Sequence, residues 1–250
     1  MLGILTAMPE EISALLPLIA DARTTDSAGR SFIKGHLHGR AVVAVFSRWG
    51  KVAAASTATE LILSHGITRL ALFGIAGSLQ SHVRIGDVVI ASALVQHDLD
   101  ASPFFPPTQV PLLGRSAFDT DEAMSADLLT AAQAFLAHDL AHAVTPDLKA
   151  QIASTPRTAM RGEVATGDQV ITSGAGRNRV LAAVPAAVCT EMEGAAVAQV
   201  CHERSIPFAC VRTISDSACS NMHHDVVPFI AGIAGTYTAG IVRRWLGVVI

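Results

Sequence analysis

The stretch Leu2-Gly3-Ile4-Leu5-Thr6-Ala7-Met8-Pro9-Glu10-Glu11 opens the chain with a short apolar run, a turn at a proline and two acids heading a segment of helical period. Leu2–Thr6 is strand-length and apolar, and Glu10–Ile19 follows as a helix, so the first unit reads strand, turn, helix. The alternation continues outward. Strands are expected at Leu2–Thr6, Ala41–Phe46, Arg69–Gly74, Asp87–Ala91, Met160–Thr166, Ala187–Thr190 and Pro207–Ile214. Helices are expected at Glu10–Ile19, Val52–Ser64, Glu122–His138, Gly194–Glu203 and Val226–Trp245. Short leucine-rich or β-branched runs separated by longer helical segments describe a sheet covered by helices on both faces, an α/β layered fold.

The composition supports a large buried core: of 250 residues, 50% are apolar and 16% charged, which excludes disordered and fibrous classes. The 18 basic and 21 acidic residues leave a net charge of -3, so there is no electrostatic footprint for nucleic acid. Cys189, Cys201, Cys210 and Cys219 form no C-x-x-C pair and sit in apolar surroundings, which reads as reduced core thiols in a cytoplasmic protein. The N-terminus has neither the basic start nor the long apolar stretch of a secretory signal. The C-terminal apolar run is cut by Arg243 and Arg244, so no membrane span is expected. The segment His97–Arg115 carries Pro103, Pro106, Pro107 and Pro111 with adjacent Phe104 and Phe105, and is expected to be a loop that serves as a lid or meets a partner subunit.

Three places gather polar groups at strand ends, where open α/β sheets hold ligands. Thr6–Glu11 brings Glu10 and Glu11 to a helix N-terminus, an arrangement that also suits the helix dipole. Phe73-Gly74-Ile75-Ala76-Gly77-Ser78 ends a strand in small residues, so backbone N–H groups can approach a ligand; a plain tight turn reads equally well. It lacks the G-x-G-x-x-G spacing and no phosphate-loop Gly-Lys-Ser/Thr follows, which removes support for dinucleotide and triphosphate cofactors. The third is the pair Thr190-Glu191-Met192-Glu193-Gly194 and Arg212-Thr213-Ile214-Ser215-Asp216. Two acids at a buried strand end are costly to desolvate, and an arginine nearby compensates. The pair reads either as an Arg–Glu bridge joining two strands or as a sugar site, with one carboxylate on the hydroxyls and Met192 on the sugar face. His97-Asp98 and His223-His224-Asp225 fit no metal spacing, and no G-x-S-x-G elbow occurs, so neither a metal nor a serine triad is expected.

Taken in order, Ala7-Met8-Pro9-Glu10-Glu11, Gly50-Lys51-Val52-Ala53-Ala54-Ala55, Gly74-Ile75-Ala76-Gly77, Ile85-Gly86-Asp87-Val88-Val89, His97-Asp98-Leu99-Asp100, Gly167-Asp168, Glu191-Met192-Glu193 and Val211–Asp216 resemble the 5'-methylthioadenosine/S-adenosylhomocysteine nucleosidases of the purine nucleoside phosphorylase type 1 superfamily. The resemblance covers nearly the whole chain. It implies one domain over 1–250, a three-layer α/β/α fold with a central mixed, twisted sheet, and hydrolysis of 5'-substituted adenosines to release adenine without metal or cofactor. It implies Glu11 as general base toward water and Asp216, beside Ser215, as the acid at purine N7. Glu193 would hold the ribose hydroxyls, Met192 would pack on the ribose, and Arg212 would position the water and the acids. Ala76, Gly77, Val170, Ile171, Glu191 and Phe229 would line the substrate. The chemistry asks for such a set, because an oxocarbenium-like state needs carboxylates near it while the leaving base is protonated. An aspartate donating that proton at neutral pH needs a raised pKa, which burial beside a purine would supply.

Two departures from the family pattern stand out. The purine-stacking aromatic after Gly167-Asp168 is replaced in Gln169-Val170-Ile171, so apolar contact from Val170 and Ile171, or a phenylalanine of the His97–Arg115 loop, would have to take its place. Arg48 stands where the family carries a small residue, which makes it a candidate anion ligand and sets the alternative of a phosphate-dependent phosphorylase. Against that alternative, no arginine flanks Gly74, and Glu11 would repel a phosphate dianion. A nucleoside-binding protein that has lost catalysis is the third reading, and the presence of all of Glu11, Glu193, Arg212 and Asp216 argues against it. The resemblance also implies a homodimer in which the loop after His97, with Phe104, Phe105 and Val110–Leu113, closes the neighbour's pocket.

Overall fold

The opening apolar run forms β1 (Leu2–Thr6), buried along its whole length because parallel neighbours flank it, β4 (Arg40–Phe46) on one side and β5 (Arg69–Ser78) on the other. This computed structural model describes residues 1–144, 156–218 and 230–247. Beyond β4 the sheet continues antiparallel through β3 (Arg30–Leu37) to the edge strand β2 (Ala20–Ser27). Beyond β5 lies β10 (Phe208–Asp216), parallel to it, and then β6 (Val88–Gln96), β8 (Ala159–Thr166) and β9 (Ala187–Glu191). β9 returns to the end of β5 through Gly77 and Ser78, so β5, β10, β6, β8 and β9 close on themselves. The short β7 (Ala117–Asp119) pairs with β6.

Helices cover both faces. Along β1 and β5, Ile4 and Phe73 point into one core while Leu5 and Leu72 point into the other, as the two-residue period of a strand requires. The first core is closed by α1 (Pro9–Ile12), α3 (Glu122–Ala134), α4 (Leu140–Ala143) and α7 (Gly235–Trp245), and the second by α2 (Lys51–Leu63) and α6 (Gly194–Glu203). A smaller cluster lies under α5 (Gly174–Ala183). The α/β/α layering and the mixed sheet match the expectation from the sequence.

Several boundaries differ for identifiable reasons. The helix expected over Glu10–Ile19 is four residues long, then a turn and a 3-10 segment at Leu16–Leu18, because Pro17 supplies no N–H and disfavours α geometry before it. The β2–β3 hairpin, absent from the sequence expectation, turns at Ala28 and Gly29, both with positive φ. β5 and β10 run past Gly74 and Ile214 to Ser78 and Asp216, which carries their polar ends into the sheet itself. Of the helix expected over Val226–Trp245, the described part from Ile230 is helical. Cys219, His223, His224, Asp225 and Phe229 lie outside the described residues. Cys189, Cys201 and Cys210 are buried free thiols, and burial pushes Cys201 and Cys210 up to about 12. No helix among the described residues is long and apolar enough to cross a membrane.

Candidate active site

Glu11 sits on α1 one turn beyond β1, and its carboxylate folds back over the turn that joins them. The N–H groups of Ala7 and Met8 donate to Oε2 at 2.8 and 2.9 Å, and the N–H of Ile75 on β5 donates to Oε1 at 3.0 Å. The residue is 1% exposed. Burial raises its pKa above the ordinary carboxylate value, and Arg212 with the three backbone donors pulls part of the way back. The short α1 is therefore shaped by its acid: a carboxylate that caps its own helix start and bonds the neighbouring strand cannot also face solvent.

Arg212 on β10 lies opposite Gly74 of β5 in the strand register. A β-carbon on Gly74 would stand 2.1 Å from Arg212 Nη1 and 2.8 Å from Glu11 Oε1, so the absence of a side chain there lets the guanidinium cross the strand to reach the acids. Arg212 Nη2 bonds Glu191 and stands 3.7 Å from Glu193 Oε2. Its Nε has no hydrogen-bond partner among the described residues. Burial disfavours the charge on Arg212, but Glu191 and Glu193 outweigh it and hold the group above its ordinary value. Glu191 is fully engaged within the protein: it accepts from Arg212, from the N–H of Glu193 at 2.9 Å and of Gly194 at 2.8 Å, and from the Thr166 hydroxyl. Thr166 in turn accepts from the N–H of Ala195 at 2.8 Å. Glu191 thus anchors α6 and Arg212 from the cavity wall, where the sequence had placed it along the substrate.

Glu193 is less engaged. Its Oε1 accepts from the N–H of Gly50 at 2.8 Å. Burial, then the neighbouring Glu191, push Glu193 up to about 8 against the pull of Arg212. Asp216 ends β10 just past a register shift between Ile214 and Asp216, a bulge that turns its carboxylate toward the cavity. Its Oδ2 accepts from Ser215 at 2.8 Å and its Oδ1 from the N–H of Ala218 at 2.7 Å. A β-carbon on Gly77 would come within 2.9 Å of Asp216 Oδ1.

These groups face one cavity of about 420 Å³. Glu11, Ala76, Gly77, Val170, Ile171, Glu191, Met192, Glu193, Ser215 and Asp216 all line it, so five sequence segments named in advance converge there. Arg212 stands behind the acids rather than on the wall. Ile171 is buried, whereas Val170 is 48% exposed at the mouth. Arg48 is the exception: its side chain is exposed and Nη2 donates to the Gly29 carbonyl at 2.8 Å, on the β2–β3 turn. That contact draws the guanidinium to the β2–β3 turn, and Arg48, the sequence candidate for an anion ligand, is not among the residues that line the cavity. The sequence reading missed Trp49, which lines the cavity, and a belt of charge beside it. Lys51 Nζ meets Asp98 Oδ1 at 2.6 Å, and the backbone N–H groups of Lys51 and Asp168 donate to Asp168 and Asp98, each at 2.8 Å. This belt ties the loops after β4, β6 and β8 together. Among the described residues no group of three His, Cys, Asp or Glu side chains is arranged to hold a metal ion.

The comparisons with known proteins agree with this geometry. Residues 1–246 match the family model described as the phosphorylase superfamily. An aminodeoxyfutalosine nucleosidase of Helicobacter pylori is 34% identical over 218 residues, 87% of this chain and 85% of that protein. A 5'-methylthioadenosine/S-adenosylhomocysteine nucleosidase of Shewanella denitrificans is 33% identical over 241 residues, 96% of each chain. Among solved structures, the futalosine hydrolase of Helicobacter pylori superposes with a TM-score of 0.83 at 29% identity, covering 98% of this chain and 96% of that one. The Neisseria meningitidis 5'-methylthioadenosine/S-adenosylhomocysteine nucleosidase in complex with methylthio-immucillin-A gives a TM-score of 0.85 at 26% identity, covering 98% and 97%. With its fold, its strand-end acids and these relatives in agreement, the chain belongs to the phosphorylase superfamily and stands among its nucleosidases.

Proposed function

We propose that the protein hydrolyses the N-glycosidic bond of 5'-substituted adenosines, with 5'-methylthioadenosine and S-adenosylhomocysteine as its substrates, and releases adenine. The observation that carries this reading is the placement of Glu11 and Asp216 on one apolar cavity from two different strand ends. In the reaction, water attacks the anomeric carbon and gives a proton to Glu11. The carbon–nitrogen bond breaks, its electron pair passes to the purine, and N7 takes a proton from Asp216. A base with a pKa raised toward the working pH accepts that proton more readily than an ordinary carboxylate does. Glu193 holds the ribose hydroxyls, Met192 packs on the sugar, and Val170 with Ile171 bounds the base in place of an aromatic stack.

Arg48 gives the phosphorylase alternative no support, since it does not line the cavity and its Nη2 donates to the Gly29 carbonyl. We further infer a homodimer in which the loop after β6 covers the neighbour's cavity, because Phe104 and Leu112 on that loop are almost fully exposed in the single chain. The cellular setting we infer is the cytoplasm, recycling by-products of adenosylmethionine chemistry. Adenine release from both nucleosides, measured with and without inorganic phosphate, tests the reaction; release at the same rate in both conditions is expected, and release only with phosphate would overturn it. Sedimentation at micromolar concentration tests the dimer, and a fully active monomer would rule out the shared pocket.

A further inference from the structure

Arg30 opens β3 beside the hairpin turn and is 8% exposed. A cation that deep needs a counter-charge or a full set of acceptors. It has acceptors: Nε donates to the Ser47 carbonyl at 3.1 Å, Nη1 to the Ala28 carbonyl at 3.2 Å and Nη2 to the Ala53 carbonyl at 3.4 Å. None of these bonds goes to a carboxylate. Burial and the neighbouring Arg48 both disfavour the charge on Arg30, and Glu60 offsets part of that. The residue therefore sits where its charge is a cost, and what its planar fork supplies is attachment at three points: the hairpin turn, the end of β4 and the first turn of α2.

Between the last two points runs the loop Ser47–Gly50, which touches the supports of two acids of the site. The Ser47 and Arg48 N–H groups donate to the Thr6 and Ala7 carbonyls at 2.8 and 3.1 Å, and the N–H of Ala7 is one of the donors to Glu11. At its other end the Gly50 N–H donates to Glu193 Oε1 at 2.8 Å. The backbone between these anchors is unusual, with φ of 78° at Arg48 and 93° at Gly50. A non-glycine residue in the left-handed region is a strained choice that surrounding contacts must maintain. Further contacts come from the β2–β3 hairpin: Arg30 holds the Ser47 and Ala53 carbonyls, and the Gly29 carbonyl accepts from Arg48 Nη2 at 2.8 Å. Residues 28–30 do not line the cavity. We propose that Arg30 is a positioning residue for the reaction: by clamping the Ser47 and Ala53 carbonyls to the hairpin turn, it keeps the Gly50 N–H on Glu193 and so fixes that carboxylate against the ribose hydroxyls. This rests on the nucleoside reading of the site and goes beyond it, giving the edge hairpin a part in turnover. Hydrogen bonds to sugar hydroxyls strengthen as the glycosidic bond breaks, so a loosened Glu193 lowers kcat and not KM alone.

The test is a double-mutant cycle: kcat for adenine release from 5'-methylthioadenosine is measured for the wild type, Arg30→Met, Glu193→Ala and the double variant. Arg30→Met should lower kcat by about 10- to 100-fold where Glu193 is present. In the Glu193→Ala background the same change should cause no further loss, because nothing remains for Gly50 to hold. A second readout needs no substrate: exchange of the Gly50 amide with solvent deuterium, followed by NMR, should quicken in Arg30→Met as it does in Glu193→Ala. Arg30→Lys keeps the charge but cannot span three carbonyls, so it should recover part of kcat; if Arg30→Met does not fold, Arg30→Lys enters the cycle in its place with an expected loss of roughly 3- to 10-fold. Equal losses in the two backgrounds overturn the proposal, since Arg30 then only holds the fold. An unchanged kcat or an unchanged Gly50 exchange overturns it as well. If the wild type releases adenine from neither 5'-methylthioadenosine nor S-adenosylhomocysteine, the nucleoside reading fails on its own, and Gly50 exchange alone decides whether Arg30 positions Glu193.

Discussion

Glu11 holds three backbone donors on two oxygens while buried, so it is the stitch between β1, α1 and β5 as well as the proposed proton acceptor of the site. The two roles are separated by Glu11→Gln. The amide keeps one acceptor oxygen and the shape, but it cannot take a proton from water. A loss of about 10²–10⁴-fold in kcat with a retained fold is expected, the range attached to a single general base. Adenine release and a thermal melt on the same sample check it, and turnover close to wild type would remove Glu11 from the chemistry. Arg212 behaves differently because three acids depend on it. Arg212→Met leaves Glu191 and Glu193 buried without their counter-charge, at a cost of about 3–5 kcal/mol. Denaturant midpoints measure that loss, and a variant as stable as the wild type would show that the acids are compensated elsewhere. Glu191, Glu193 and Arg212 were legible because buried charge at strand ends is costly and so informative, whereas Glu11 and Asp216 were singled out by the resemblance of their segments to the family. Trp49 was not, since one aromatic in a loop gives no periodic signal, and which way it points depends on positive φ at Arg48 and Gly50.

At the scale of elements, register decides the site. Arg212 faces Gly74, and after the bulge Asp216 faces Gly77, so the two glycines admit the two side chains that matter most on β10. Gly77→Ala places a methyl group 2.9 Å from Asp216 Oδ1 and 3.2 Å from the Ala218 β-carbon. The expected result is a displaced Asp216, a kcat reduced by about 10²-fold or more, and a modest loss of stability of about 1–3 kcal/mol from overpacking. Full activity in Gly77→Ala would mean that the Asp216 carboxylate is free to shift and its placement is not critical. The elements themselves were legible where burial is two-sided: β1, β4 and β5 read as continuous apolar runs because helices cover both faces. β2 was not, since Ala20–Ser27 is exposed along nearly all its length and its sequence, Ala-Asp-Ala-Arg-Thr-Thr-Asp-Ser, carries no apolar stripe. Nor was the early end of the first helix, where the apolar period continues through Leu15 and Leu16 although the backbone does not. Closure of five strands through Gly77 and Ser78 is a long-range pairing that local pattern cannot contain.

For the whole molecule, the buried acids make stability depend on pH in a direction opposite to that of ordinary salt-bridged carboxylates. Glu193 goes from 4.5 to about 8 on folding, and Glu11 moves the same way. Between those values the folded state holds protons that the unfolded chain has lost, so stability is fully present below about 4.5 and falls as pH rises toward 8. Other groups act in other windows. Asp139, held down by its bonds to Arg244, and Asp98, held down by Lys51 against burial, lose their contributions only on the acid side of 3.8. His97 and His65, lowered by burial, favour folding as pH rises toward 6.5 and partly offset Glu193 there. The clean interval for Glu193 is therefore from 6.5 to 8, above the windows of the two histidines and the two aspartates. Glu193 in that interval faces Glu191, Arg212, Glu11 and the Gly50 N–H, and Glu193→Gln removes the titrating proton while leaving the amide able to accept from Gly50. Urea midpoints at pH 5, 6.5 and 8 should show the wild type losing stability toward pH 8 by up to about 1.4 kcal/mol per pH unit for each proton involved. Glu193→Gln should lose less, so that the difference between the two widens in the variant's favour as pH rises. Parallel curves would mean that Glu193 is ionised in the folded protein throughout, with Arg212 outweighing burial and Glu191 together.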